Sequence, residues 1–338
     1  MNKLGKRIVI GTVLGISVLT LSACGNHKTN ANPHNGNQIS IKSGSYIVPE
    51  YKHQLSKGYG YLALHLSIKN NGKKEMLTDD NFKLVDKSGD VTKPTDVYDG
   101  QDKTLSVNNL DHGEKLANAE LVFKVNKNKN YTLKLEPDDK DVPTSSISIK
   151  ANKYHDDSNG AIAAAKAYVN TVFLNENDKN YDKFVANDKN QVKNDFNNAA
   201  KKHLNDDILN FLSDSDSNKI DDNTQNNLVN QLQKANATRG KVTYQIKKAS
   251  GKDVKVQLNV KSINLTDVGD NVIKNNTNSQ DFVKNFGNTL NGAKISHPDD
   301  VLTVLKLTKD GNKWKIDTSN NGDIQYKDVI QYFFGEDY

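Results

Sequence analysis

Tyr61-Leu62-Ala63-Leu64-His65-Leu66-Ser67-Ile68-Lys69 decides the fold of the first half of this chain. Leu62, Leu64, Leu66 and Ile68 fall at every second residue, so one face is apolar and the other polar or small. That period marks a strand with one buried side. Asn70-Asn71-Gly72 then gives a turn, since Asn and Gly tolerate positive φ. Working outward, Phe82 to Val85 is a short second run. Leu121 to Val125 and Tyr131 to Leu135 are two more, joined by the polar turn Asn126 to Asn130. Leu105 to Leu110 is weaker, and Gln38 to Ile41 and Tyr46 to Val48 are expected to pair at the start. Short strands with turn residues between them predict an antiparallel β-sandwich over residues 39–150.

Gly58-Tyr59-Gly60-Tyr61-Leu62-Ala63 carries the letters of a dinucleotide fingerprint. That loop must open a helix whose N-terminus faces a pyrophosphate, and here the glycines open a strand. The order of the Tyr61 strand, Asn70-Asn71-Gly72, Phe82-Lys83-Leu84-Val85-Asp86, the Gly113-Glu114 corner, Leu121-Val122-Phe123 and Tyr131-Thr132-Leu133 resembles a known group. It is similar to the immunoglobulin-like domain of unknown function common in Gram-positive surface lipoproteins. The resemblance implies a fold and brings no catalytic residues.

Lys150 to Gly160 is polar and is expected to link two domains. After it the period becomes helical. Ile162, Ala165, Tyr168, Val169, Val172 and Phe173 share one face. Phe196 to Leu212 is a second helix with Leu204, Ile208, Phe211 and Leu212 on one side. Leu228 and Leu232 belong to a third, ending near Ala237, and Phe282, Val283, Phe286 and Leu290 to a fourth. Between them Val242, Tyr244 and Ile246 alternate, as do Val254, Val256, Leu258 and Val260, across the turn Ser250-Gly251-Lys252-Asp253. A second hairpin runs from Val301 to Leu307 and Trp314 to Ile316 across Asp310-Gly311-Asn312, and Tyr326 to Phe334 closes the chain as a short helix or edge segment. Residues 151–338 therefore predict an α+β domain with helices packed on a curved antiparallel sheet. The closing hairpin resembles the last hairpin of the nuclear transport factor and ketosteroid isomerase superfamily. The half as a whole is similar to the C-terminal domain of unknown function that partners such lipoproteins.

The chain starts with Lys3, Lys6 and Arg7 and no acid, then an apolar or small run from Ile8 to Leu21. That run is shorter than the about 20 apolar residues a spanning helix needs, and matches a secretory signal. It ends on Leu21-Ser22-Ala23-Cys24, which resembles the lipobox of bacterial lipoproteins. The resemblance implies cleavage between Ala23 and Cys24, an S-diacylglycerol on the Cys24 sulfur, and an acyl group such as palmitate on the new N-terminus. Cys24 is the one cysteine, so an intrachain disulfide is excluded. Residues 1–23 are then the signal, and residues 24–38 a tether of roughly 20 Å average span. His27 and His34 lie on the tether without further metal ligands beside them. The expected location is the extracellular face of the cell membrane.

The formal charge is +5 over 338 residues, and part of it leaves with the signal. Neither half is a basic block, which argues against a nucleic-acid partner. Arg239 is the one arginine after Arg7, so bidentate capture of phosphate is poorly supplied. The sequence nominates no catalytic set, no cofactor and no metal centre. Tyr168 and Tyr244 are the candidate donors were the second domain to hold a ketosteroid-isomerase-type cavity, but no acid falls on the same buried faces. Asp214-Ser215-Asp216-Ser217-Asn218 and the stretch Asp317, Ser319, Asn321, Gly322, Ile324, Asp328 carry partial calcium-loop spacing. The first lacks the loop's Gly and Glu, and the second follows a strand where a helix is required. The expectation is a lipid-anchored protein without enzymatic activity that acts in the cell envelope by binding or display, on an envelope protein or a small ligand. A small-ligand carrier or enzyme using a cavity in the second domain is the alternative, and a structural spacer is a third reading.

Overall fold

The computed structural model of the chain describes residues 36–50, 55–97, 105, 108–212, 220–275, 277–296, 303–320 and 325–335. The first half is built from β1 (Asn37–Ile47), β2 (Tyr59–Asn70), β3 (Glu75–Leu77), β4 (Phe82–Asp86), β5 (Val91–Thr92), β6 (Asn108–Leu110), β7 (Lys115–Asn126), β8 (Asn130–Leu135) and β9 (Ser145–Lys150). One sheet runs β1-β2-β7 and the other β5-β4-β8-β9, with a small β3-β6 pair. Leu62, Leu64, Leu66 and Ile68 are fully buried and meet Phe82, Leu84, Phe123, Leu133 and Ile149 in one core. Burying each such side chain contributes about 1.5–3 kcal/mol.

Three details depart from the sequence expectation. Gln38–Ile41 and Tyr46–Val48 do not pair with each other. Most of both runs lies in β1, which pairs throughout with β2 and is bulged between Ile41 and Ser43. The turn after β2 uses no positive φ. Instead Asn70 Oδ1 accepts the Gly72 N–H at 2.7 Å, and Asn70 Nδ2 donates to the Lys73 and Leu110 carbonyls at 2.7 and 2.9 Å. The turn between β7 and β8 is a corner that carries the chain from one sheet to the other. There the Asn126 N–H donates to the Tyr131 hydroxyl at 2.9 Å.

The second half follows with α1 (Ser158–Tyr168), extended by a π-helical turn over Val169–Phe173, then α2 (Tyr181–Phe184), α3 (Lys189–Asp207) and α4 (Asp222–Arg239). Then come β10 (Lys241–Ser250), β11 (Asp253–Lys261), α5 (Leu265–Lys274), α6 (Ser279–Gly292), β12 (Thr303–Asp310), β13 (Lys313–Ile316) and α7 (Tyr326–Gln331). The sheet order is β10-β11-β12-β13, antiparallel throughout. Asp188, Asp221, Asn264 and Asn278 each cap a helix by accepting an N–H from three residues on. Each cap is worth about 0.5–2 kcal/mol. Gly251 and Gly311 turn the two hairpins at φ 60 and 57. Trp314 is a buried core residue, whereas Phe211, expected on a buried face, is 51% exposed because α3 ends before it.

The halves are stitched together between residues 150 and 160. Ala151 is buried in the first core, and its carbonyl accepts from the Tyr46 hydroxyl at 3.1 Å. The Tyr46 N–H donates to the His155 carbonyl at 2.9 Å. Just past β1, Val48 and Ala249 exchange two backbone hydrogen bonds, at 3.0 and 2.8 Å. Lys255 Nζ meets the Glu50 carboxylate at 3.0 Å.

Candidate functional site

β10 is an edge strand of its sheet. Its residues Val242, Tyr244 and Ile246 lie opposite Val260, Leu258 and Val256 of β11. At Ala249 both backbone groups point away from β11, toward Val48. Alternation carries that outward aim through the bulge between Ile246 and Lys248 to Ile246, Tyr244 and Val242. Among the described residues no backbone group outside the sheet bonds these three positions. Among the described residues the backbone pairing of the segment after β1 with β10 stops at Val48, and Glu50 reaches Lys255 with its side chain.

A helix wall stands beside that edge. Ser158, Ile162 and Lys166 of α1 and Asn170 of the π turn are spaced by four, so they form one stripe. A cavity of about 430 Å³ lies at the domain junction, with Ser158, Ile162 and the segment Tyr244 to Lys247 on one side and the sandwich segments Tyr46 to Glu50 and Tyr59 to Tyr61 on the other. A second, of about 360 Å³, lies between Lys166, Asn170, Leu174 and the pair Val242 and Tyr244. Tyr244 borders both, so they are the two ends of one trough. The stripe is about 18 Å long at 1.5 Å per residue. The open edge is about 20 Å at 3.3 Å per residue. The two walls therefore match in length.

At the sandwich end Lys127 pairs with Asp156, and its ammonium sits 4.6 Å from the centre of the Tyr46 ring. Burial alone would raise the Asp156 carboxyl, but the hydrogen bonds from Lys127 and Ser158 outweigh it and hold the group below the usual range. Burial, then the charges of Glu176 and Asp178, push the Tyr244 hydroxyl well above its ordinary value, so it stays protonated and able to donate.

Among the described residues the aromatic interior of the second domain is packed. Tyr168 and Tyr326 share a hydrogen bond at 2.5 Å. Phe173 lies 4.4 Å from Phe333, and Phe196 5.8 Å from Phe334, between ring centres. Burial, then Tyr326, drives the Tyr168 hydroxyl far above the range in which it could ionise. Tyr168 is thus a core residue with a satisfied hydroxyl, while Tyr244 faces the trough.

Ala23, Cys24, His27, His34 and the Asp214–Asn218 loop lie outside the described residues. Asp317 and Asp328 do local work. Asp317 Oδ1 accepts the Ser319 N–H at 2.9 Å, and Asp328 Oδ2 accepts the Gln325 N–H at 3.3 Å in the cap of α7. Among the described residues no three His, Cys, Asp or Glu side chains gather around a point. The trough itself escaped the sequence. The spacing of four on α1 is visible in the letters, but which strand ends up at a sheet edge is not.

These features define a class of chain, a β-sandwich followed by an α+β domain whose helices pack on an antiparallel sheet. The chain belongs to the DUF5105 family, a domain of unknown function, whose model matches residues 150–334. Residues 32–143 match a second such family, DUF4352. The chain is 25% identical over 284 residues to the uncharacterized lipoprotein YcdA of Bacillus subtilis strain 168, covering 74% of each chain. The crystal structure of YcdA from the same strain superposes with a TM-score of 0.65 at 20% identity, over 91% of this chain and 98% of that one. The two-domain fold is therefore shared.

Proposed function

We infer that the chain is a lipid-anchored protein of the outer membrane face, acting by binding a partner and not by chemistry. The observation that carries the reading is Leu21-Ser22-Ala23-Cys24 at the end of a short apolar run with a basic start. Ala23 and Cys24 flank the cleavage, and the Cys24 sulfur takes the diacylglycerol. The relative named as a lipoprotein supports the same reading. Two acyl chains hold where one is marginal, at about 0.8 kcal/mol per buried CH₂. No helix of the described residues is long and apolar enough to cross a membrane.

The binding half of the reading rests on the packed aromatic interior and the open trough at the domain junction. β1 leads from the tether side to that junction, about 36 Å at 3.3 Å per residue. The sandwich then acts as a stalk that presents the second domain away from the head groups. The test is Cys24→Ala in the exported chain. The expected outcome is loss of palmitate labelling and release from the membrane fraction. Retention in the membrane with unchanged labelling would overturn the anchor.

A further inference from the structure

We propose that the trough between α1 and the open edge of β10 takes an extended segment of a partner protein, which adds to the sheet as a strand antiparallel to β10. The inference rests on the binding reading above and names the kind of partner.

Peptide N–H and C=O groups along Val242, Tyr244 and Ile246 point out of the sheet, with no backbone partner among the described residues. Such an edge is a template for another strand. The molecule already uses it that way once, because Val48 pairs antiparallel with Ala249 through both of its backbone groups. Among the described residues no further backbone bond to β10 follows Val48. A guest strand continues in line along the part of the edge that the described residues leave open. It stops near Lys247, where the bulge breaks the register.

Side chains set the kind of peptide. Guest residues opposite Val242, Tyr244 and Ile246 project to the same face as those residues, toward α1. There they meet Ile162 and Leu174 beside the Tyr244 ring. Alternate guest positions point the other way, into water. The trough therefore selects a segment of about six residues, apolar at every second place and polar between. Lys166, Lys241, Lys247 and Lys261 border it. Of its acids, Glu50 is paired with Lys255 and Asp156 with Lys127, which leaves Glu176 at the far end and favours acidic over basic residues at the polar places. A helix wall facing a strand edge also fixes the peptide's depth, so main-chain bonds supply affinity while the Ile162 and Leu174 contacts supply register.

The probe is a blocked hexapeptide alternating valine with threonine, added to the full mature chain while amide exchange is followed by NMR. The expected result is that the Tyr244 and Ile246 amides slow by about tenfold or more at saturation. Thr243 and Gln245, already bonded to β11, should change little. Ile246→Pro removes one outward N–H and is tolerated on an edge. It should abolish the peptide effect, and so should Ile162→Glu, which leaves β10 untouched. The same peptide with a central proline should not bind. Protection elsewhere on the chain, or binding that survives both variants, overturns the proposal. So does an effect that follows protein concentration without peptide, which would make the occupant a second copy. Failure here leaves the anchor standing, because that is read by the labelling of Cys24.

Discussion

The two domains bury different chemistry. The sandwich core is mainly aliphatic, with Leu62, Leu64, Leu66, Ile68, Leu84 and Leu133 packed between two sheets, and a few buried polar groups lie in the same domain. Asn37 and Asn70 are essentially unexposed there, and Glu75 sits beside them. The second domain instead stacks Tyr168, Phe173, Phe196, Tyr326, Phe333 and Phe334 around one hydroxyl pair. The difference teaches where function can lie. Among the described residues the aromatic column is packed ring against ring with its hydroxyls paired, and the cavities that border the second domain lie at its perimeter. The sandwich carries its tension in a shielded acid instead.

The largest expected effect tests whether the two cores are separate. Phe173 touches the rings of Tyr168, Phe196, Tyr326 and Phe333 at 5.6, 5.2, 6.1 and 4.4 Å. Phe173→Ala should cost the second domain about 3–5 kcal/mol in urea unfolding. The sandwich transition should stay where it was. A single shifted transition for both would show that the stitching through Val48 and Tyr46 makes them one cooperative unit.

A smaller effect sharpens the contrast on the sandwich side. The Glu75 oxygens are shielded from water and make no well-aligned hydrogen bond. Burial, chiefly, lifts its carboxyl above the ordinary glutamate value; the Asn37 amide opposes this and the charge of Asp138 adds to it. A raised value in the folded state means the folded chain holds the proton more tightly than the unfolded one. The contribution is therefore complete below the ordinary glutamate value and is lost as pH climbs through the folded value. Glu75→Gln should be more stable than the parent at neutral pH, with the gap closing as the pH is lowered toward the ordinary glutamate range. Melting temperatures of both forms across that window check this, and a constant gap would break the account of Glu75.

The sequence showed the elements whose period is long and clean. Leu62 to Ile68 and Val254 to Val260 announce strands because each places four apolar residues on one face. β9 was invisible, since Ser145-Ser146-Ile147-Ser148-Ile149-Lys150 offers two apolar residues among polar ones. α5 was missed because its ten residues are short and include Gly269. β1 looked like two pieces because Ser43-Gly44-Ser45 has no apolar signal. Yet Gly44 is needed there, since a Cβ would stand 2.6 Å from the Tyr154 ring. The anchor was legible because its chemistry is local to four letters. The trough was not, because it depends on which strand is last in the sheet and on which helix lies beside it.

The central claim is that Val242, Tyr244 and Ile246 of β10, at the junction of the two domains, have outward backbone groups with no backbone partner among the described residues. Amide exchange of the free chain, resolved residue by residue along Lys241 to Lys247, tests it most directly. The account predicts alternation, with Val242, Tyr244 and Ile246 exchanging fast and Thr243 and Gln245 slow. Uniformly slow exchange along the strand would mean that the edge is already filled, and would contradict it.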